Sequence, residues 1–175
     1  MIATANTPRV YAACLASYNA GILHGEWIDL DQDPDDVKAD LTMMIQHSPT
    51  EGAEEWAIHD YDNMPDMGEW PDIDKLCAIG NAITEAKEND CDDAFRAWLD
   101  YDPYNLDNPD NFQNEYIGWY ESQRAYAEEV LSSTGELDGL GNLASYFDYD
   151  AYARDLFLND VTEIDAVQGI YVFSR

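Results

Sequence analysis

The chain has 175 residues, of which 37 are Asp or Glu and only 8 are Lys or Arg, giving a formal charge of −29. That balance excludes nucleic acid as a direct ligand, because phosphate contacts need Lys and Arg on the protein, and it disfavours anionic membrane surfaces, which attract polybasic segments. It does not imply disorder, since 46% of the residues are hydrophobic and 22 are Phe, Trp or Tyr, enough apolar surface to form a core.

The length admits one domain or several small ones. No stretch approaches the roughly 18 apolar residues of a membrane span. Residues Met1 to Arg9 lack a basic region followed by an apolar run, so no secretory leader is expected there. Cys14, Cys77 and Cys91 are odd in number and lack C-x-x-C spacing. They read as reduced thiols of a cytoplasmic protein rather than a disulfide framework or zinc site. Residues 1–60, 61–120 and 121–175 carry net charges of −9, −12 and −8. The charge therefore belongs to the whole folded surface and not to an acidic tail.

In chain order, Arg9–Ser17 and Ile22–Leu30 read as two strands joined by a hairpin turn at Tyr18-Asn19-Ala20-Gly21. Asp33 is placed to cap a helix with Pro34 at its first position. Val37, Leu41, Met44 and Ile45 then form one apolar helical stripe. Glu54–Tyr61 reads as a returning strand with Trp56 and Ile58 on one face. Proline-rich punctuation at Asn63–Pro71 and Pro103–Asn114 marks two boundaries. Between them, Ile73, Leu76, Cys77, Gly80 and Ile83 mark one helix, and Phe95, Trp98 and Leu99 a shorter one. Tyr116–Tyr120 has strand character. Ser122 is placed to cap a helix containing Tyr126, Ala127, Val130 and Leu131, with Gly135 just past its end. A further helix is expected from Asp148 through Leu156, and a closing hairpin from Val161–Ile164 and Gly169–Ser174. The reading is an α+β fold in three modules: 1–62, a sheet with one helix; 63–104, helical; and 105–175, α+β. Three modules in a row would exceed the roughly 40 Å diameter of a compact globule of this length and spread the repelling charges, so an elongated chain is expected.

Few constellations point to chemistry. Asp29, Asp31 and Asp33, with Asp40 twelfth in the count, superficially match a calcium loop. Pro34 and Asp40 stand where that loop wants Gly and a bidentate Glu, and a capped helix start competes for the same residues. His59, in His59-Asp60-Tyr61-Asp62, could centre a metal-dependent hydrolase, but His24 and His47 are the only other histidines and have no ligand spacing. A strand end with a polar rim is the simpler reading. No nucleophile motif or Gly-rich phosphate loop is present. No enzyme activity, metal or cofactor is expected.

A uniformly acidic fold has two other readings. Duplex DNA carries one negative charge per about 1.7 Å of axis, so 29 charges match roughly 50 Å of duplex, some 15 base pairs, and a dimer roughly 100 Å. Such an array suits the basic channel of a DNA-binding protein and would release counterions as DNA does. Halophilic adaptation also favours acidic surfaces poor in lysine, and this chain has only Lys38, Lys75 and Lys87.

Several segments separate these readings. Arg9-Val10-Tyr11 through Tyr18-Asn19-Ala20-Gly21, then Gly25-Glu26-Trp27, resembles the opening of the ArdA antirestriction family (alleviation of restriction of DNA). Ala57-Ile58-His59-Asp60-Tyr61-Asp62 is similar to that family's A-I-H-D-Y-E segment, with aspartate for glutamate at Asp62. Tyr146-Phe147-Asp148-Tyr149-Asp150-Ala151-Tyr152-Ala153-Arg154-Asp155-Leu156 resembles its later signature, and Gly169-Ile170-Tyr171-Val172-Phe173 its closing strand. The antirestriction motif of the family would fall near Tyr126–Leu143. The resemblance implies an elongated, curved homodimer of three-module chains that mimics bent DNA. It would occupy the DNA-binding groove of the specificity/methyltransferase core of type I restriction–modification enzymes. That would block restriction, with modification left open, and protect a mobile element. The mimicking surface would draw on Asp31, Asp35, Asp36, Asp40, Asp62, Asp66, Asp72, Asp74, Glu85, Glu88, Asp92, Asp93, Asp107, Asp110, Glu115, Glu121, Glu128, Glu129, Glu136 and Asp138. His59, Tyr149, Tyr152 and Arg154 are expected to organise packing instead.

Overall fold

A computed structural model describes residues 7–175. Residues 1–6, on which the expectation of no secretory leader largely rests, lie outside the described residues. The chain divides into two compact units, one ending at Asp92 and the other running from Asp93 to Arg175. Each unit contains a three-stranded antiparallel sheet. The α+β class expected from the sequence is observed.

In the first unit, strand β1 (Arg9–Cys14) leads into a short helix α1 (Leu15–Asn19), followed by strand β2 (Gly25–Asp29). The two strands pair as expected, and a turn closes at residues 18–21, where Gly21 N–H donates to Tyr18 O at 3.0 Å, but a short helix precedes that turn. Helix α1 occupies residues read as the end of the first strand, and Ser17 on it is fully buried. Its hydroxyl lies 2.9 Å from Ser48 Oγ and 2.8 Å from Thr50 Oγ1. These side-chain bonds hold the helical turn in place against residues more than thirty positions away.

Helix α2 (Pro34–Gln46) begins as expected, with Asp33 accepting from Asp35 N–H at 2.9 Å and Pro34 in the first turn. It buries Val37, Leu41 and Met44 on the sheet. Strand β3 (Trp56–Asp62) pairs with the other edge of β1. Between Tyr11↔Asp60 and Ala12↔Ile58 the register shifts, leaving His59 as the extra residue of a β-bulge. The bulge breaks the simple alternation, so Ala57 and Ile58 are both buried while Trp56 is half-buried.

Helix α3 (Ile73–Glu88), capped by Asp72, adds Leu76 and Cys77 to the same core. Its approach depends on Gly80: a Cβ there would sit 2.6 Å from Leu30 Cβ and 2.7 Å from Leu30 O. Any side chain would force helix and strand end apart.

Helix α4 (Asp92–Tyr101), in the second unit from Asp93 onward, buries Phe95, Trp98 and Leu99. The proline-rich stretch read as boundary punctuation folds instead into helix α5 (Pro103–Asp107), a 3₁₀ turn (Pro109–Asn111) and helix α6 (Phe112–Glu115). Its prolines occupy helix-start positions, where their missing N–H costs nothing. Asn105 on it is buried and donates to Trp98 O at 2.6 Å. Strand β4 (Tyr116–Tyr120) follows, then helix α7 (Gln123–Thr134), a 3₁₀ segment (Asp138–Tyr146), helix α8 (Tyr149–Asn159), and strands β5 (Val161–Asp165) and β6 (Ile170–Ser174). The sheet order is β4-β6-β5. Ser122 caps α7 through Ala125 N–H, and Gly135 ends it in the left-handed conformation at φ 67°, both as expected. Asp148 caps α8 through Ala151 N–H at 3.0 Å.

Candidate functional site: the carboxylate surface

Taking a carboxylate out of water is costly unless it is paired and hydrogen-bonded, and this chain has few cations to pair with. The fold meets that constraint by keeping the acids at the surface. None of the 37 acidic residues is buried as a whole, although Asp92 Oδ1 is shielded from water, and all but Asp29, Asp40, Asp62, Asp92, Glu115 and Glu163 are exposed.

The candidate residues divide by what they touch. In the first unit, Asp62 pairs with Arg9 at 2.7 Å. Asp35 and Asp74 share Lys38, at 3.6 and 2.9 Å. The Asp74 bond holds the ammonium pKa of Lys38 above its ordinary value, with Asp35 adding to it. Asp72 accepts from Lys75 N–H at 3.0 Å, Asp40 from Gln32 at 3.2 Å and Asp66 from Gly68 N–H at 2.8 Å. In the second unit, Glu115 accepts from the Trp98 indole at 2.9 Å. Glu128 pairs with Arg124 at 2.8 Å, and Glu129 accepts from the Tyr120 hydroxyl at 3.2 Å. Asp92 and Asp107 are also engaged. Asp31, Asp36, Glu85, Glu88, Asp93, Asp110, Glu121, Glu136 and Asp138 lie outside these bonds; all nine are exposed.

The arginines organise rather than neutralise. Arg9 lies 4.7 Å over the Trp27 ring while gripping Asp62, and Tyr11 packs against Trp27 at 5.5 Å. This joins the R-V-Y segment, the G-E-W strand and the end of the His-Asp-Tyr-Asp segment in one sheet. In the second unit, Arg124 lies 5.3 Å over the Tyr149 ring and bonds Glu128 and Asp150, which together hold its pKa above the ordinary value. Phe147 packs edge-on to both Tyr149 and Tyr152. Tyr149 and Tyr152 thus organise packing as expected, and His59 contacts the Tyr18 ring edge-on at 4.9 Å. Arg154 departs from that expectation. It is exposed on α8, and no hydrogen bond, ion pair or ring contact ties it to another described residue.

The calcium-like spacing folds as the capped start of α2, with Gln32 bonding both Asp29 O and Asp40. Among the described residues no three or more His, Cys, Asp or Glu side chains converge as a metal site would require. No helix among them is long and apolar enough to cross a membrane.

Sequence reasoning missed the segment after β3, reading it only as punctuation. Ile58 N–H donates to Glu69 O at 2.9 Å and the Tyr61 hydroxyl to Gly68 O at 2.6 Å, so residues 66–70 lie folded against the strand. Burial, with the charge of Asp66 adding to it, pushes the Tyr61 pKa up to about 12, so its hydroxyl remains a donor. The available signal was Trp70, a large ring amid acidic turn residues.

Together these features define a small acidic α+β protein whose polar chemistry is an outward array of carboxylates on two packed units. The model of the antirestriction protein (ArdA) family matches residues 10–169, spanning both units. The chain belongs to the ArdA family of antirestriction proteins, whose targets are restriction enzymes. No curated protein matches it.

Proposed function

We propose that this chain works as a DNA mimic. As a homodimer in the cytoplasm, it occupies the DNA-binding groove of the specificity/methyltransferase core of a type I restriction–modification enzyme and so shields an incoming mobile element. Inhibition is by occupancy, without catalysis. The observation that carries this reading is the placement of the acids at the folded surface, where 31 of the 37 are exposed and none is wholly buried. A basic groove evolved for phosphates meets a comparable line charge, with the same counterion release and the same steering on approach.

Self-association is supported by the 3₁₀ segment Asp138–Tyr146, which buries none of its residues and exposes Leu140, Leu143 and Tyr146. Covering these side chains with a second copy would remove apolar surface from water.

Competition with duplex DNA for a purified type I methyltransferase core, across a salt series, tests the proposal. Displacement that weakens steeply as salt rises is the expected result, and failure to displace DNA at low salt would overturn it. Methylation measured in parallel decides whether modification is inhibited too. Solution scattering tests the dimer: an elongated particle of twice the chain mass is expected, and a compact monomer would remove that part.

A further inference from the structure

In the first unit, α1, β3 and the segment after it border an open hollow of about 670 Å³, lined among others by Tyr18, His59, Tyr61, Asp66, Glu69 and Trp70. The hollow carries large rings left in water: Tyr18 is 60% exposed and Trp70 is 67% exposed. Exposed rings occur elsewhere on the surface, at Tyr101, Tyr104, Trp119 and Tyr146, but here they line a hollow together with carboxylates. The hollow is also held in shape. The Ile58 N–H to Glu69 O bond, the Tyr61 hydroxyl to Gly68 O bond and the Gly68 N–H to Asp66 bond fix the segment bearing Asp66, Glu69 and Trp70. His59 braces Tyr18 edge-on. Trp70 also borders a second hollow of about 360 Å³, with Glu54 and Glu55. The indole therefore stands between two pairs of carboxylates.

Aromatic faces present negative potential, and with carboxylates beside them they select a cation. An anion would be repelled, and a neutral apolar group would leave the charges unused. Of the protein cations, a planar guanidinium can both stack on a ring and donate a fork of N–H groups to carboxylates, whereas an ammonium is a more strongly hydrated point charge.

We propose that this hollow receives an arginine side chain, which stacks on Trp70 and donates to Asp66 and Glu69. Phosphate mimicry alone needs carboxylates and no ring, so the hollow adds a directional contact to an otherwise diffuse attraction. That the arginine belongs to the restriction enzyme rests on the DNA-mimic reading; the hollow's preference for guanidinium does not.

The full chain is titrated with N-acetyl-arginine amide while the indole N–H signals of its five tryptophans are followed by NMR. The Trp70 signal is expected to move saturably, and the citrulline amide, similar in shape but uncharged, to leave it in place. The double variant Asp66→Asn with Glu69→Gln keeps an acceptor for Gly68 N–H and should bind the arginine amide about five- to tenfold more weakly. An equal response to citrulline, or a shift spread evenly over all five indoles, overturns the hollow as an arginine site.

The enzyme competition assay tests the arginine's owner. Trp70→Ala should raise the concentration needed to displace DNA about fivefold, and unchanged displacement would overturn that assignment. If the wild-type chain displaces no DNA, the mimic reading fails, while the amide titration still decides the hollow.

Discussion

The two units solve the same problem with different interiors. The first packs an aliphatic and thiol core, Val10, Ile28, Leu30, Val37, Leu41, Leu76 and Cys77, between its sheet and helices α2 and α3. The second is built largely from rings. Phe112 lies 5.0 Å from Phe95, 5.6 Å from Trp98, 5.0 Å from Tyr116 and 6.1 Å from Phe173, and a second cluster centres on Tyr126, Val161, Ile170 and Val172. Yet the surfaces match: residues 1–92 carry a net −16 and residues 93–175 a net −13, and each unit sets one arginine over an aromatic ring beside a carboxylate. Core chemistry varies while charge density is held, which is what a function located in the surface field would require.

The comparison breaks first at the cores. Phe112→Ala removes a ring touching four others and should cost about 4 kcal/mol, against about 3 kcal/mol for Leu41→Ala in the aliphatic core. Chemical denaturation of both variants measures the difference, and a larger loss for Leu41→Ala would void the distinction. Gly80→Val drives a side chain into Leu30 and should cost about 3 kcal/mol. A neutral result there would mean that α3 shifts away freely.

A smaller, pH-dependent difference is expected at Cys77. Burial, then the neighbouring charge of Asp74, pushes its thiol from the ordinary 9 up to about 11. Because the folded state holds the proton more tightly, its contribution is intact below pH 9 and is lost as pH rises through about 11. Cys77→Ala should flatten that part of the stability–pH profile, as read by unfolding at pH 8 and pH 10.5. The smallest effect belongs to any lone surface charge. Glu88→Gln, at the exposed last residue of α3, should change DNA displacement by less than about twofold, since each screened charge adds little. A tenfold loss would show that the field is focused at particular carboxylates.

Much of the fold was legible in the sequence because its signals are local. Asp33-Pro34, Ser122 with Gly135, and Asp148 specify helix ends through bonds to their own neighbours, and each did so. The stripe Val37, Leu41, Met44 needed only helical periodicity. What escaped were features set by distant contacts. Helix α1 depends on Ser17 meeting Ser48 and Thr50, more than thirty residues away. The bulge at His59 is visible only in the register against β1. The prolines between residues 103 and 114 signal a break equally well at a linker or at a helix start, and the buried Asn105 and Phe112 decide for helices.

By itself, then, the sequence determined the charge, its even spread and the helix ends, because each follows from residue identity or from a few neighbouring positions. Tertiary structure alone decided which carboxylates are engaged by Arg9, Lys38, Arg124 or a backbone amide and which face water unengaged. It also gathered Tyr18, Tyr61, Trp70, Asp66 and Glu69 around one hollow. Those outcomes depend on distances between residues far apart in the chain, and they exist only once the strands have paired and the segment after β3 has folded back.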